Sequence, residues 1–145
     1  MPVGTIVVAS NLAADAAFKL MIDLSNVPEW DRGIRHVRRI DGEPGSPGVR
    51  YEVTLTGFDG QPTTAVYELT AVDKSRSFSI VGTHPDFRAD DTVTFESTND
   101  GCLVTYTAGL TMLAEPAPVE DGLLAETFAK LVAIVEDGLR LFLNP

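Results

Sequence analysis

The sequence predicts an α+β fold: an antiparallel sheet of six to seven strands, two short helices between strands 1 and 2, and a long C-terminal helix. Three observations predict it. Between residues 34 and 112, apolar and polar side chains alternate with the period of strands buried on one face. From about residue 120 the period becomes helical, placing Leu124, Phe128, Leu131, Val135, Leu139 and Phe142 in one stripe. The turns between the strands are also compatible with a single shared apolar face. No linker, repeat or low-complexity tract divides the chain, so a single domain over residues 1–145 is expected, and its 44% hydrophobic content suffices for one core.

The first strand, 3–9, is rich in β-branched residues. Ser10 or Asn11 is placed to cap a helix over about 12–24, with Asp15 in its first turn, where the helix dipole favours a carboxylate. A second helical turn over 27–31 accepts Pro28 near its start. Strands are then expected at about 34–41, 48–57, 61–72, 76–84, 90–98 and 101–112. A two-residue Asn99-Asp100 turn sets Phe95 opposite Val104 and Val93 opposite Tyr106. A four-residue turn over 73–76 sets Ala71 opposite Phe78 and Leu69 opposite Ile80. The Phe58-Asp59-Gly60 turn requires an odd residue count, which a bulge at Gly60 supplies. A last helix over about 120–143 would be roughly 36 Å long, enough to cross the sheet. Gly138 lies in its apolar stripe and implies either a close backbone approach or room for a ligand.

Charge and composition narrow the function. A net charge of −10 argues against nucleic acid and anionic membranes as partners. No uncharged run is long enough to span a bilayer, and a cleaved signal peptide is not expected because the N-terminus lacks a basic region. Cys102 is alone, which is compatible with a reducing cytoplasm, the expected location. Two histidines and one cysteine without ligand spacing predict no metal. No nucleophile elbow, phosphate loop or dinucleotide fingerprint appears, and no cofactor is expected. The segment Gly42-Glu43-Pro44-Gly45-Ser46-Pro47-Gly48 is not a phosphate site: no helix opens after it and two prolines remove backbone donors.

Residues 18–31 carry the most specific pattern: Phe18, Asp23, Pro28 and Trp30, placed ahead of a basic strand. With the order of elements, this pattern resembles the START-like (SRPBCC) superfamily, which includes polyketide cyclases and dehydrases, lipid carriers and Bet v 1-like pollen-allergen proteins. The glycine-rich loop after the second strand looks like the one in the pollen-allergen branch. The resemblance implies a helix-grip fold, a curved sheet wrapped around the C-terminal helix with a ligand cavity between them. The expected ligand is a hydrophobic, partly oxygenated molecule of polyketide, lipid or isoprenoid type. Phe18 and Met21 or Ile22 should enter the core, with Trp30 acting as a structural wedge.

The apolar face nominates Tyr51, Val53, Tyr67, Leu69, Phe78, Ile80, Phe95 and Tyr106 as the ligand-binding wall, facing Leu124, Phe128, Leu131 and Val135 of the helix. All three tyrosines share that face, so their hydroxyls need one another, water or a ligand as partners. The strand Arg32-Gly33-Ile34-Arg35-His36-Val37-Arg38-Arg39 leaves its inward set open, His36 with Arg38 or Arg35 with Arg39. His84 shares the parity of Gly82 and is either a general base or a turn residue. Asp90 and Asp91 read as solvated acids opening a strand, and Cys102 as a small buried apolar residue.

An alternative is an enzyme, a cyclase or dehydratase moving protons with His36, His84, Tyr51 or Arg38. Another is a protein-interaction module docking an acidic partner on Arg35 and Arg39. The leading expectation is a hydrophobic small-molecule ligand held by a monomer or weak homodimer.

Overall fold

The computed structural model describes residues 2–114 and 121–145. Seven strands form one antiparallel sheet: β1 (Val3–Ser10), β2 (Ile34–Asp41), β3 (Arg50–Thr56), β4 (Pro62–Asp73), β5 (Ser77–Thr83), β6 (Phe87–Thr98) and β7 (Gly101–Met112). Their order across the sheet is β1-β7-β6-β5-β4-β3-β2. The strands adjacent in sequence at the start of the chain, β1 and β2, are therefore the two edges. The chain crosses between them through α1 (Ala14–Ile22) and a 3-10 helix (Leu24–Glu29), and α2 (Asp121–Phe142) follows the last strand. Glu120, the expected start of that helix, lies outside the described residues. This is the helix-grip fold.

Several expected pairs are observed: Phe95 with Val104, Val93 with Tyr106, and Leu69 with Ile80. The β4–β5 hairpin differs. Its turn spans three residues because Asp73 pairs with Ser77, and Ser75 takes a φ of 64°. A register shift between Leu69 and Ala71 absorbs the odd count, so Val72, not Ala71, opposes Phe78. Ala71 is consequently exposed while Val72 packs on the core. The strand expected at 90 begins three residues earlier, at Phe87.

Helix α1 begins at Ala14 with no side-chain cap. Ser10, expected as that cap, instead donates to the carbonyl of Leu143 at 2.5 Å and accepts from the amide of Leu12. Asn144 adds to the tie, donating to the carbonyls of Ala9 and Arg140 while accepting from the amide of Asn11. These bonds satisfy the last carbonyls of α2 and pin its C-terminus to β1.

The concave face has a solid half and a hollow half. In the solid half, Phe18 of α1 meets Phe78 and Phe95 edge-on at 6.0 and 5.5 Å, with Met21, Leu139 and Leu143 fully buried beside them. Gly138 resolves to close approach: a Cβ there would lie 2.0 Å from the carbonyl oxygen of Trp30. Helix α2 thus rests directly on the backbone that leads into β2. Farther toward its N-terminus α2 lies against β1, where Val132 and Phe128 pack over Gly4, while Leu131, although in the apolar stripe, is 40% exposed.

Candidate functional site

The hollow half holds a cavity of about 350 Å³. Its walls come from β1 (Ile6), the start of β2 (Ile34), the end of β3 and the turn after it (Leu55, Thr56, Gly57, Phe58), β4 (Tyr67), β6 (Phe87, Ala89, Asp91), β7 (Tyr106, Ala108, Gly109, Leu110) and α2 (Thr127, Phe128, Leu131, Val132, Val135). Most of this wall is apolar. The charged side chains among the described lining residues are Asp31 and Asp91.

Asp91 reaches the cavity through the strand period. Phe87, Ala89, Asp91, Val93 and Phe95 alternate inward along β6, and the early start of this strand makes Asp91 an interior position, not an opening one. The reading of Asp90 and Asp91 as a solvated pair is therefore corrected for Asp91. Asp90 points the other way and pairs with Arg88 at 3.0 Å in the open. The carboxylate of Asp91 accepts the Tyr106 hydroxyl at 2.5 Å through Oδ2. Burial pushes its pKa up to about 7, against the Tyr106 bond, which works downward; the charges of Asp31 and Asp90 push it up further.

Asp31 arrives by a different route. The chain leaves the 3-10 helix at Trp30, and Asp31 Oδ1 accepts the Gly33 amide at 2.9 Å in a tight turn before β2. Burial raises its pKa, partly opposed by that amide. Trp30 is 2% exposed, meets Tyr106 edge-on at 5.7 Å, and leaves Nε1 without a hydrogen-bond partner among the described residues. Residues 18–30 thus do more than wedge the core: they deliver an acid to the cavity.

Tyr67 lies across Gly82, its partner on β5, where a Cβ would come within 2.6 Å of its ring. Only glycine allows that ring position, from which the phenol reaches the cavity wall. Its hydroxyl has no hydrogen-bond partner among the described residues. Burial, then the charges of Asp91 and Asp31, hold its proton on firmly. The same causes, with the bond to Asp91, raise Tyr106.

Of the residues nominated from sequence, Tyr67, Tyr106, Phe128, Leu131 and Val135 line this cavity. Tyr51, Val53, Leu69, Phe78, Ile80 and Phe95 lie in the solid half, buried against α1 and its neighbours. They share the inward parity but are buried in one core cluster with Phe18, Met21 and Ile22 of α1 and Leu139 and Leu143 at the end of α2. Leu124 is buried with Phe87 and Leu110, packed against Phe58 and Phe128. Leu55, Ala89 and Ala108 line the cavity and were not nominated.

The basic and histidine candidates lie elsewhere. Val37 and Arg39 oppose Val53 and Tyr51, so His36 and Arg38 occupy the other face; both are exposed, and Arg38 pairs with Glu52 at 3.4 Å. The register shift after Ile34 removes Arg35 from the inward set, where it donates to Thr56, while Arg39 donates to the Gly42 carbonyl at the rim of the sheet. His84 is a turn residue: Nδ1 accepts the Asp86 amide at 3.0 Å, Nε2 meets Thr63 at 2.9 Å, and the ring stacks on Phe87. With Nδ1 accepting, Nε2 carries the proton. Neither histidine lines the cavity. The glycine-rich loop also stays away from it; Gly42, Gly45 and Gly48 all take positive φ in a tight connection to β3. Cys102 is buried opposite Ser10.

No group of three or more metal-ligating side chains occurs among the described residues, and no helix is long and apolar enough to cross a membrane. The arrangement is an apolar chamber with one polar pole: two acids, a phenol that bonds one of them, and a phenol whose hydroxyl is uncommitted.

A family model described as polyketide cyclase / dehydrase and lipid transport matches residues 1–141. No curated protein matches the sequence significantly. Among solved structures, a START superfamily protein from Mycobacterium smegmatis superposes with a TM-score of 0.77 at 12% identity, covering 98% of this chain and 95% of the other. Major latex-like protein 151 from Panax ginseng superposes with a TM-score of 0.69 at 17% identity, over 99% of each chain. The di-domain ARO/CYC protein StfQ of the steffimycin biosynthetic pathway gives a TM-score of 0.72 at 13% identity, over 97% of this chain and 48% of StfQ. At these identities the likeness is one of fold.

Proposed function

The chain belongs to the polyketide cyclase / dehydrase and lipid transport family, and from that premise we propose that it binds a hydrophobic, partly oxygenated small molecule in the cavity between sheet and α2. Molecules of polyketide, lipid or isoprenoid type have the required character. The observation that carries this reading is the chamber of about 350 Å³, walled mostly by aliphatic and aromatic side chains, in which Asp31, Asp91, Tyr67 and Tyr106 lie close enough to influence one another. Such a wall binds through apolar burial, and a few placed polar groups orient the guest. The single, buried and unpaired Cys102 supports a reducing compartment such as the cytoplasm as the place of action.

The test is native mass spectrometry of protein purified from its own host, alongside titration with the neutral apolar dye Nile red. A retained molecule and saturable dye binding are expected. Ala108→Phe, which projects a ring into the chamber, should weaken dye binding by tenfold or more, on the order of the burial of one aromatic ring. No retained molecule, together with dye binding indifferent to Ala108→Phe, would overturn the reading.

A second reading is an enzyme of cyclase or dehydratase type. One observation favours it: a carboxyl held at a pKa of about 7 in an apolar cavity is matched to proton transfer near neutral pH. Asp91, with Tyr106 as its bonded donor, replaces the histidines as the group for that role. Turnover of a poly-ketone substrate should then fall with Asp91→Asn and survive the paired change His36→Ala with His84→Ala.

A further inference from the structure

We propose that the ligand of this cavity carries a protonated amine, seated against Asp31 and Asp91, and that hydrophobic carboxylates are rejected. The proposal rests on the ligand-binding reading and names the chemical class of the guest.

The argument is a count of acceptors and donors. Each acid spends one oxygen on the protein: Oδ2 of Asp91 on the Tyr106 hydroxyl, Oδ1 of Asp31 on the Gly33 amide. The other oxygen of each has no partner among the described residues. Asp91 is half-buried in a mostly apolar wall. A carboxylate oxygen left bare in such a place is costly, and a second carboxylate on the same wall compounds the cost. The uncommitted Tyr67 hydroxyl can accept as well as donate. Three open acceptors match the three donors of an ammonium group, and its charge relieves the repulsion between the two acids.

Nothing on the wall answers an anion. The described lining residues include no lysine, arginine or histidine. The basic side chains of β2 are committed elsewhere: Arg35 to Thr56, Arg38 to Glu52 and Arg39 to the Gly42 carbonyl. A ligand carboxylate would be a third negative group facing two acids, with neutral hydroxyls such as those of Tyr67 and Thr127, and no cation among the described lining residues, to answer it. The net charge of −10 acts in the same sense at long range, drawing cations toward the chain and slowing anions.

A matched series on one skeleton tests this: 2-(2-naphthyl)ethylamine, 2-(2-naphthyl)ethanol and 2-naphthylacetate, titrated calorimetrically at pH 8. The amine should bind about tenfold or more tighter than the alcohol, the difference between a charge-assisted and a neutral hydrogen bond, with the acetate weakest. In Asp91→Asn and in Asp31→Asn the advantage of amine over alcohol should shrink to below about threefold. Asparagine keeps the oxygen that Tyr106 or the Gly33 amide requires, and the alcohol titration reports whether each variant still folds around its cavity. Acetate binding as tightly as the amine would overturn the amine assignment alone, as would an amine preference surviving both substitutions together. Failure of all three compounds to bind would overturn the cavity reading and the assignment with it.

Discussion

The substitution Asp91→Asn tests the electrostatics of the cavity without any ligand. In the unfolded chain the carboxyl of Asp91 has its ordinary pKa of about 3.9; in the fold it stands at about 7, raised chiefly by burial. Between these values the folded protein holds a proton that the unfolded chain has released. Stability therefore falls as pH rises through this window and levels off above it. Integrating the two titrations, the group costs the fold about 1.5 kcal/mol at pH 5 and about 4 kcal/mol at pH 8. Asparagine accepts the Tyr106 hydroxyl as the carboxylate does but does not ionise, so it removes this cost and relieves Asp31 of a like charge. The stability of Asp91→Asn relative to the parent should increase by about 2.5 kcal/mol between pH 5 and pH 8, measured by urea unfolding at each pH. A difference between the two proteins that is flat with pH, within about 0.5 kcal/mol, would show that the carboxyl is solvated and the reasoning wrong.

Two further substitutions probe the frame. Gly138→Ala would gain about 1 kcal/mol of helix propensity, but its methyl would meet the Trp30 carbonyl oxygen at 2.0 Å; a net loss of about 2 kcal/mol in chemical denaturation is expected, and a gain would show that α2 does not rest on Trp30. His84→Ala should cost about 1–2 kcal/mol of stability through the lost bonds to Asp86 and Thr63. Its Nile red affinity should stay within about twofold of the parent, since the ring lies outside the cavity wall; a larger change would return this histidine to the site.

Much of the site was within reach of the residues alone. Once Val93 and Phe95 are placed inward by their pairing with Tyr106 and Val104, the same two-residue period puts Asp91 inward as well. The neighbouring Asp90 masks this signal, because adjacent acids usually mark a solvated strand end. Asp31 had no such signal. It follows an irregular turn, where no period links parity to direction, and its placement depends on how α2 holds the Trp30 backbone. The β2 candidates failed for a related reason: two register shifts break the alternation, so Arg35 and Arg39 cannot be sorted by counting.

Local chemistry determined the elements, the sheet order implied by its hairpins, and the face each regular strand buries, because those follow from periods of two and 3.6 and from turn lengths. The division of that face into core and cavity was decided only in three dimensions. Tyr51 and Tyr67 sit opposite each other on neighbouring strands with the same parity, yet one is core and the other cavity wall. What separates them is where the helices close over the sheet, and the C-terminal end of α2 is held in place by the contact of Gly138 with Trp30 and by the Ser10 and Asn144 ties. Those contacts join residues more than a hundred positions apart, and no local pattern records them.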